Sequence, residues 1–114
     1  MDKLDRASWS DFERIGLCVG TIRKAESFPE TRKPSFKLWI DLGPLGVVTS
    51  SAQLTALYTV EALMGRQVIC ATGLGSKNIA GFRSEVLTTG FLREDGAVVL
   101  ATVDQPVADG TALA

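Results

Sequence analysis

The stretch Ser50-Ser51-Ala52-Gln53-Leu54-Thr55 gathers three hydroxyls and an amide in six residues, in a chain that contains no histidine. Without histidine the commonest general base is missing. A serine nucleophile there would need a lysine or an N-terminal amine as its base. Lys37 and Lys77 are the lysines nearest in sequence, and no spacing ties either to Ser50 or Ser51. Gly73-Leu74-Gly75 is a fragment of a phosphate loop without its third glycine or a βαβ setting. The two cysteines, Cys18 and Cys70, lie in apolar, strand-like segments with no CxxC partner. They read as reduced core thiols, since no secretory context supports a disulfide. No Cys/His/Asp cluster offers a metal site. These residue types therefore point to binding without catalysis, and no cofactor is implied.

What the chain can do is attract and hold. The net charge of −1 hides a segregation. From Arg14 to Arg83 there are nine bases and four acids, whereas the two ends carry three bases and nine acids. A basic body with acidic ends can attract a polyanion locally. Lys37 and Trp39 share one face of an alternating segment, and a cation beside an aromatic suits base stacking with phosphate neutralisation. The alternative for Trp39 is packing, either under an N-terminal helix or against a second subunit. Ile79 and Phe82, on a loop with Gly81 between them, belong to the core, to a subunit contact or to an apolar groove. The hydroxyls and amide of the opening stretch can bond extended backbone or sugar-phosphate oxygens without sequence preference. Ser50 or Ser51 can equally cap a following helix.

These residues need elements to place them. The 114 residues, 46% of them hydrophobic, suffice for one core and one domain. No run is long and apolar enough for membrane insertion. Met1 to Asp11 lacks the apolar stretch of a signal peptide, so a cytoplasmic protein is expected. Ser10-Asp11-Phe12-Glu13 has the pattern of a capping box, predicting a short helical turn. Ile15 to Ile22 follows as a strand, bent at Gly16 and Gly20. Phe28 to Pro34 is a basic loop. Ser35 to Leu42 alternates, with Phe36, Leu38, Ile40 and Leu42 facing one way and Ser35, Lys37, Trp39 and Asp41 the other. Gly43 to Gly46 turns into a third strand, Gly46 to Ser51. Ala52 to Met64 predicts one helix or two short turns. Arg66 to Thr72 is a fourth strand and Gly73 to Arg83 a loop. Glu85 to Leu92 and Ala97 to Val103 form a hairpin about Asp95-Gly96. That order predicts an all-β fold with short helices, a five-stranded Greek-key barrel of the OB type. An SH3-like barrel is the alternative. The arm spans residues 1–14, the barrel 15–103 and the tail 104–114.

Six blocks in this order carry a resemblance: Val19-Gly20-Thr21-Ile22, Phe28 to Gly43, Ser50 to Thr55, Leu63 to Ala71, Ile79 to Leu87, and Asp104 to Thr111. Together they resemble the CsaA family of export-related chaperones, within the tRNA-binding OB-domain superfamily. The resemblance covers nearly the whole chain. It implies a homodimeric OB barrel that binds unfolded or export-bound polypeptides in protein secretion. The alternative is a tRNA-binding module, and one surface can serve both. No activity or cofactor is implied. On the matching positions the polar, RNA-binding surface would comprise Arg32, Lys33, Lys37, Ser50, Ser51, Gln53, Lys77, Arg83, Ser84 and Glu85. Phe28, Trp39, Leu74, Ile79 and Phe82 would form the apolar peptide groove or the dimer contact. One departure stands out: the loop Gly73 to Asn78 lacks the asparagine, prolines and part of the charge usual in the family. That weakens the RNA reading more than the polypeptide reading.

Overall fold

A computed structural model describes residues 6–114. A short helix α1 (Trp9–Ile15) leads into β1 (Leu17–Phe28), β2 (Ser35–Asp41), a 3-10 turn (Gly43–Leu45) and β3 (Val47–Ala52). Then come α2 (Val60–Leu63), β4 (Gln67–Ala71), β5 (Lys77–Ile79), β6 (Phe82–Ser84), β7 (Leu87–Thr88), β8 (Gly90–Leu92) and β9 (Val98–Leu100).

Five antiparallel strands form one curled sheet in the order β3-β2-β1-β4-β7. Two small hairpins, β5–β6 and β8–β9, stand beside it. The long strand β1 does double service. Leu17 to Thr21 pair with β4, and Thr21 to Phe28 pair with β2. It can bend between partners because Arg23 is bulged out of the register between Ile22 and Lys24. Gly20 lies where a Cβ would sit 2.6 Å from Ile40 Cγ2 and 2.6 Å from Leu42 Cδ2. The curl therefore brings β2 onto β1 at a spot where only a hydrogen fits. This is the OB architecture expected from the order of elements.

The alternating residues of β2 fill the core as predicted. Leu38 and Ile40 are wholly buried, with Ile22, Leu63, Val68 and Cys70 around them. Where β2 does not reach, the edge of β1 is taken by the C-terminal tail. Val19 N–H donates to the Thr111 carbonyl (3.0 Å), Gly110 N–H to that of Val19 (2.7 Å) and Leu113 N–H to that of Leu17 (2.9 Å). Asp109 pins this tail: Thr21 Oγ1 donates to its Oδ1 at 2.6 Å, Gln67 Nε2 donates at 3.2 Å, and Arg23 pairs with it at 3.4 Å.

Several expectations are corrected. The capping box is Ser8 with Asp11, not Ser10 with Glu13. Asp11 N–H donates to Ser8 Oγ (3.1 Å) and Ser8 N–H to Asp11 Oδ2 (3.1 Å), so the helix starts at Trp9. Of the two readings of Ala52 to Met64, the two short turns hold: one closed by Tyr58 N–H donating to the Leu54 carbonyl (3.1 Å), the other the four-residue α2 capped by Thr59. Buried Leu54 and Leu63 pin the segment's ends to the core and leave no single apolar stripe between. The first strand runs on to Phe28. The loop from Gly73 to Arg83 contains the β5–β6 hairpin, turning at Ala80 and Gly81, both at positive φ. Arg93 to Gly96 does turn a hairpin, but residues 85–88 leave it to join β3 and β4.

Gly20→Ala should cost about 1–3 kcal/mol, because the added methyl must displace two core side chains in a closely packed interior. Urea denaturation checks this, the expected sign being a lowered midpoint with an unchanged slope.

Candidate polymer-binding surface

Register decides which side chains face out. Lys37 lies opposite Ser51 and Trp39 opposite Thr49, while Leu38 lies opposite Ser50. Directly opposed residues share a face, so Lys37, Trp39, Thr49 and Ser51 stand on the outer face and Ser50 on the core side. Lys24, Glu26 and Phe28 of β1 complete the outer face. Ser50 is accordingly fully buried and shares a 2.8 Å hydrogen bond with Thr88 Oγ1. It belongs to the core wall, not to the polar surface predicted from sequence.

The β5–β6 hairpin folds over this outer face. Phe82 sits edge-on to Phe28 (5.6 Å between centroids) and to Trp39 (5.7 Å). Lys37 Nζ lies 4.8 Å from the Phe28 ring and 5.3 Å from that of Phe82, and Lys24 Nζ lies 4.6 Å from the Trp39 ring. Three rings and two cations thus make one stack. Phe28 is only 2% exposed, so it supports this stack from beneath and cannot line an open groove. Trp39 remains half-buried, packed neither under α1 nor bare.

The hairpin is tethered by polar bonds to β3. Thr49 N–H donates to Glu85 Oε1 (3.0 Å), and Thr49 Oγ1 donates to the Arg83 carbonyl (2.6 Å). Glu85 N–H returns to the Thr49 carbonyl (2.8 Å), and Ser51 N–H donates to Ser84 Oγ (3.0 Å). Ser84 and Glu85, predicted as binding residues, spend their polar atoms here. Arg83 points its charge away on an exposed strand position.

Between the hairpin and the loop after β1 runs a trough. One part, about 440 Å³, is walled by Arg32, Lys33, Ser51, Gln53, Ile79 and Ala80, among others. An adjoining part, about 520 Å³, shares Ser51, Gln53 and Ile79 and adds Leu74, Lys77, Ser84 and Leu87. The basic loop is braced from within: Thr31 Oγ1 donates to the carbonyls of Phe28 (3.0 Å) and Lys33, and Ser35 Oγ to that of Lys33 (3.0 Å). Arg32, Lys33 and Lys77 are exposed and make no ion pair among the described residues. The structure brings Arg32, Lys33, Ser51, Gln53 and Lys77 of the predicted polar surface to one trough with Leu74 and Ile79 of the predicted apolar set, and adds Ala80, Val86 and Leu87, which that prediction did not include. The two-residue turn Ala80-Gly81 was the available signal for the first. Among the described residues no group of His, Cys, Asp and Glu could hold a metal ion. No helix among them is long and apolar enough to cross a membrane.

Residues 17–112 match the family described as "Putative tRNA binding domain". The crystal structure of chaperone CsaA from Bacillus anthracis superposes with a TM-score of 0.90 at 40% identity, covering 96% of this chain and 100% of that one. The chain is a CsaA-type member of the tRNA-binding domain family. CsaA of Picrophilus torridus gives a TM-score of 0.87 at 36% identity over the same shares, 96% and 100%. The methionine–tRNA ligase of Methanocaldococcus jannaschii is 31% identical over 110 residues, which are 96% of this chain and 17% of the ligase. That of Methanopyrus kandleri is 35% identical over 99 residues, 87% of this chain and 13% of the ligase. The chain spans less than a fifth of these ligases, so the likeness concerns their tRNA-binding domain alone. The family fold predicted from six sequence blocks is the fold observed.

Glu85→Ala should lower stability by about 1–3 kcal/mol, because the Thr49 N–H and hydroxyl lose a charged acceptor in a part-buried setting. Amide exchange should quicken across residues 77–84 more than in β1 and β2, which hydrogen-exchange mass spectrometry reads directly.

Proposed function

We propose that this protein is a non-catalytic, homodimeric chaperone of the export-related kind, holding unfolded or extended polypeptides in the cytoplasm. The trough beside β3 carries this reading. Its floor offers the Ser51 hydroxyl and the Gln53 amide to a passing backbone, its walls offer Ile79, Leu74 and Leu87 to apolar side chains, and its rims carry Arg32, Lys33 and Lys77 against the single acid Glu30. Such a site grips by shape and dispersed hydrogen bonds. The whole-length likeness to two chaperone structures supports it. The described chain acts as one binding domain, with arm and tail as accessories to the barrel.

The dimer has its own support. Helix α1 buries none of its residues, and Trp9 is 83% exposed. Seven residues cannot sustain a helix in water by propensity alone. A second copy covering Trp9 supplies the missing burial. Light scattering should give twice the chain mass of 12.2 kDa, and Trp9→Glu should shift the protein toward monomer.

Transfer RNA is the second reading, favoured by the family match and by the uncommitted cations Arg32, Lys33 and Lys77. The two readings separate by experiment. An unstructured, apolar-rich peptide should bind saturably and the protein should slow aggregation of a denatured client. Loss of both results would overturn the chaperone reading. Replacing Arg32 and Lys33 together by alanine should weaken tRNA binding several-fold and lower the salt slope by about 1–2, with little effect on the peptide. Absence of tRNA binding at low salt would remove the second reading.

A further inference from the structure

Register fixes which way each backbone group of the β5–β6 hairpin points. Ala80 and Gly81 form its two-residue turn, both at positive φ (48° and 85°), the geometry of a type I′ turn. Such a turn makes Ile79 and Phe82 a hydrogen-bonded pair, and the two kinds of pair alternate along an antiparallel ladder. The next pair, Asn78 opposite Arg83, is therefore of the non-hydrogen-bonded kind, with the backbone groups of each residue turned away from the other. An independent bond agrees: the Arg83 carbonyl accepts from Thr49 Oγ1 of β3 at 2.6 Å. The Asn78 N–H and carbonyl accordingly point the opposite way, to the outer edge of β5. Among the described residues no donor or acceptor meets either group. The Asn78 side chain is already engaged, its Oδ1 accepting from Gly81 N–H at 2.9 Å.

The edge of β3 is closed by Glu85, whereas that of β5 is open. An open edge is a template for another chain. With three residues, exposed Lys77 among them, β5 is too short and too charged to zip onto a preformed strand. A flexible segment can still lie along it. Lys77 and Ile79 project to the opposite face from Asn78, and both line the trough. A strand laid beside β5 would send every second side chain the same way as Lys77 and Ile79, toward that trough. There Ile79 and Leu74 meet apolar groups. The cations Arg32, Lys33 and Lys77, against the single acid Glu30, complement carboxylates.

Resting on the polypeptide-holding reading above, we propose that an extended segment of apolar and acidic residues adds to β5 as a third strand, exchanging backbone hydrogen bonds with Asn78. The backbone bonds hold any extended chain alike, and the trough selects among alternate side chains. The client is then gripped along its main chain, which an unfolded polypeptide exposes and a folded one does not.

The probe is a short acetylated peptide alternating valine with threonine and glutamate, titrated against the full chain. Methylating its amide nitrogens one at a time should weaken binding by about three- to tenfold at every second residue and leave the residues between unchanged. Lysine in place of the glutamates should weaken it several-fold at low salt, the difference fading as salt rises. Asn78→Pro removes the outward N–H without touching a β5–β6 bond, whereas Asn78→Ala keeps that N–H. Both variants lose the side-chain bond to Gly81. The proline variant should bind the probe about three- to tenfold more weakly than the alanine variant. A methylation scan without a period of two, equal affinity of the two variants, or a lysine peptide bound as well as the glutamate one would overturn the proposal, while saturable binding preserves the polypeptide reading. A changed oligomeric mass in Asn78→Pro with unaltered peptide affinity would assign this edge to a second copy and overturn it as well. Absence of saturable binding by any peptide would remove both. The methylation scan uses the wild-type protein, so it decides even where the proline variant folds poorly.

Discussion

The bond set between Thr49 and Glu85 is the constraint on which the rest of the binding surface depends. β3 would otherwise be an edge strand with bare N–H and carbonyl groups, an open template for another chain. Glu85 closes that edge twice over, by its side chain to the Thr49 amide and by its own amide to the Thr49 carbonyl. The same bonds fix the direction in which the β5–β6 hairpin leaves the sheet. Because the hairpin is fixed, Phe82 reaches Phe28 and Trp39, and Ile79 faces the basic loop across the trough. Chain closure and site formation are one event.

Charge is divided with similar economy. Arg23 pairs with Asp41 and Asp109, and Lys24 pairs with Glu26 while covering Trp39. These cations serve the bulge and the tail. Lys37 is engaged with two rings. The cations at the trough rim lack such partners among the described residues, which leaves their attraction for an anionic or backbone-rich polymer intact. The acidic ends noted in the sequence are partly consumed in the same way, Asp109 by Thr21, Arg23 and Gln67.

Much of this was legible in the sequence, and for identifiable reasons. Phe36, Leu38 and Ile40 alternate strictly with Lys37 and Trp39, so β2 and its faces could be read directly. Asp95-Gly96 announced its turn. Ser50 was misread because two adjacent serines look alike until a register assigns one to each face. Phe28 was misread because its cover, Phe82, comes from a hairpin with no alternating pattern and only three residues per strand. Glu85 and Ser84 look like surface ligands in sequence. Only the return of residues 83–88 to β3, a long-range pairing, turns them into fasteners. Ala52 to Met64 had helical composition, but burial of Leu54 and Leu63 overrode propensity.

The tail along β1 has a consequence for how the molecule comes into being. β1 is made early, yet the groups that complete its outer edge at Leu17 and Val19 are Thr111 and Leu113, almost the whole chain later. Topologies whose pairings span such distances fold slowly, since loop closure must precede the reward. On a ribosome, the apolar stretch from Cys18 to Ile22 would wait with one flank unpaired until the tail emerged. The first strand to be synthesised is among the last to be finished.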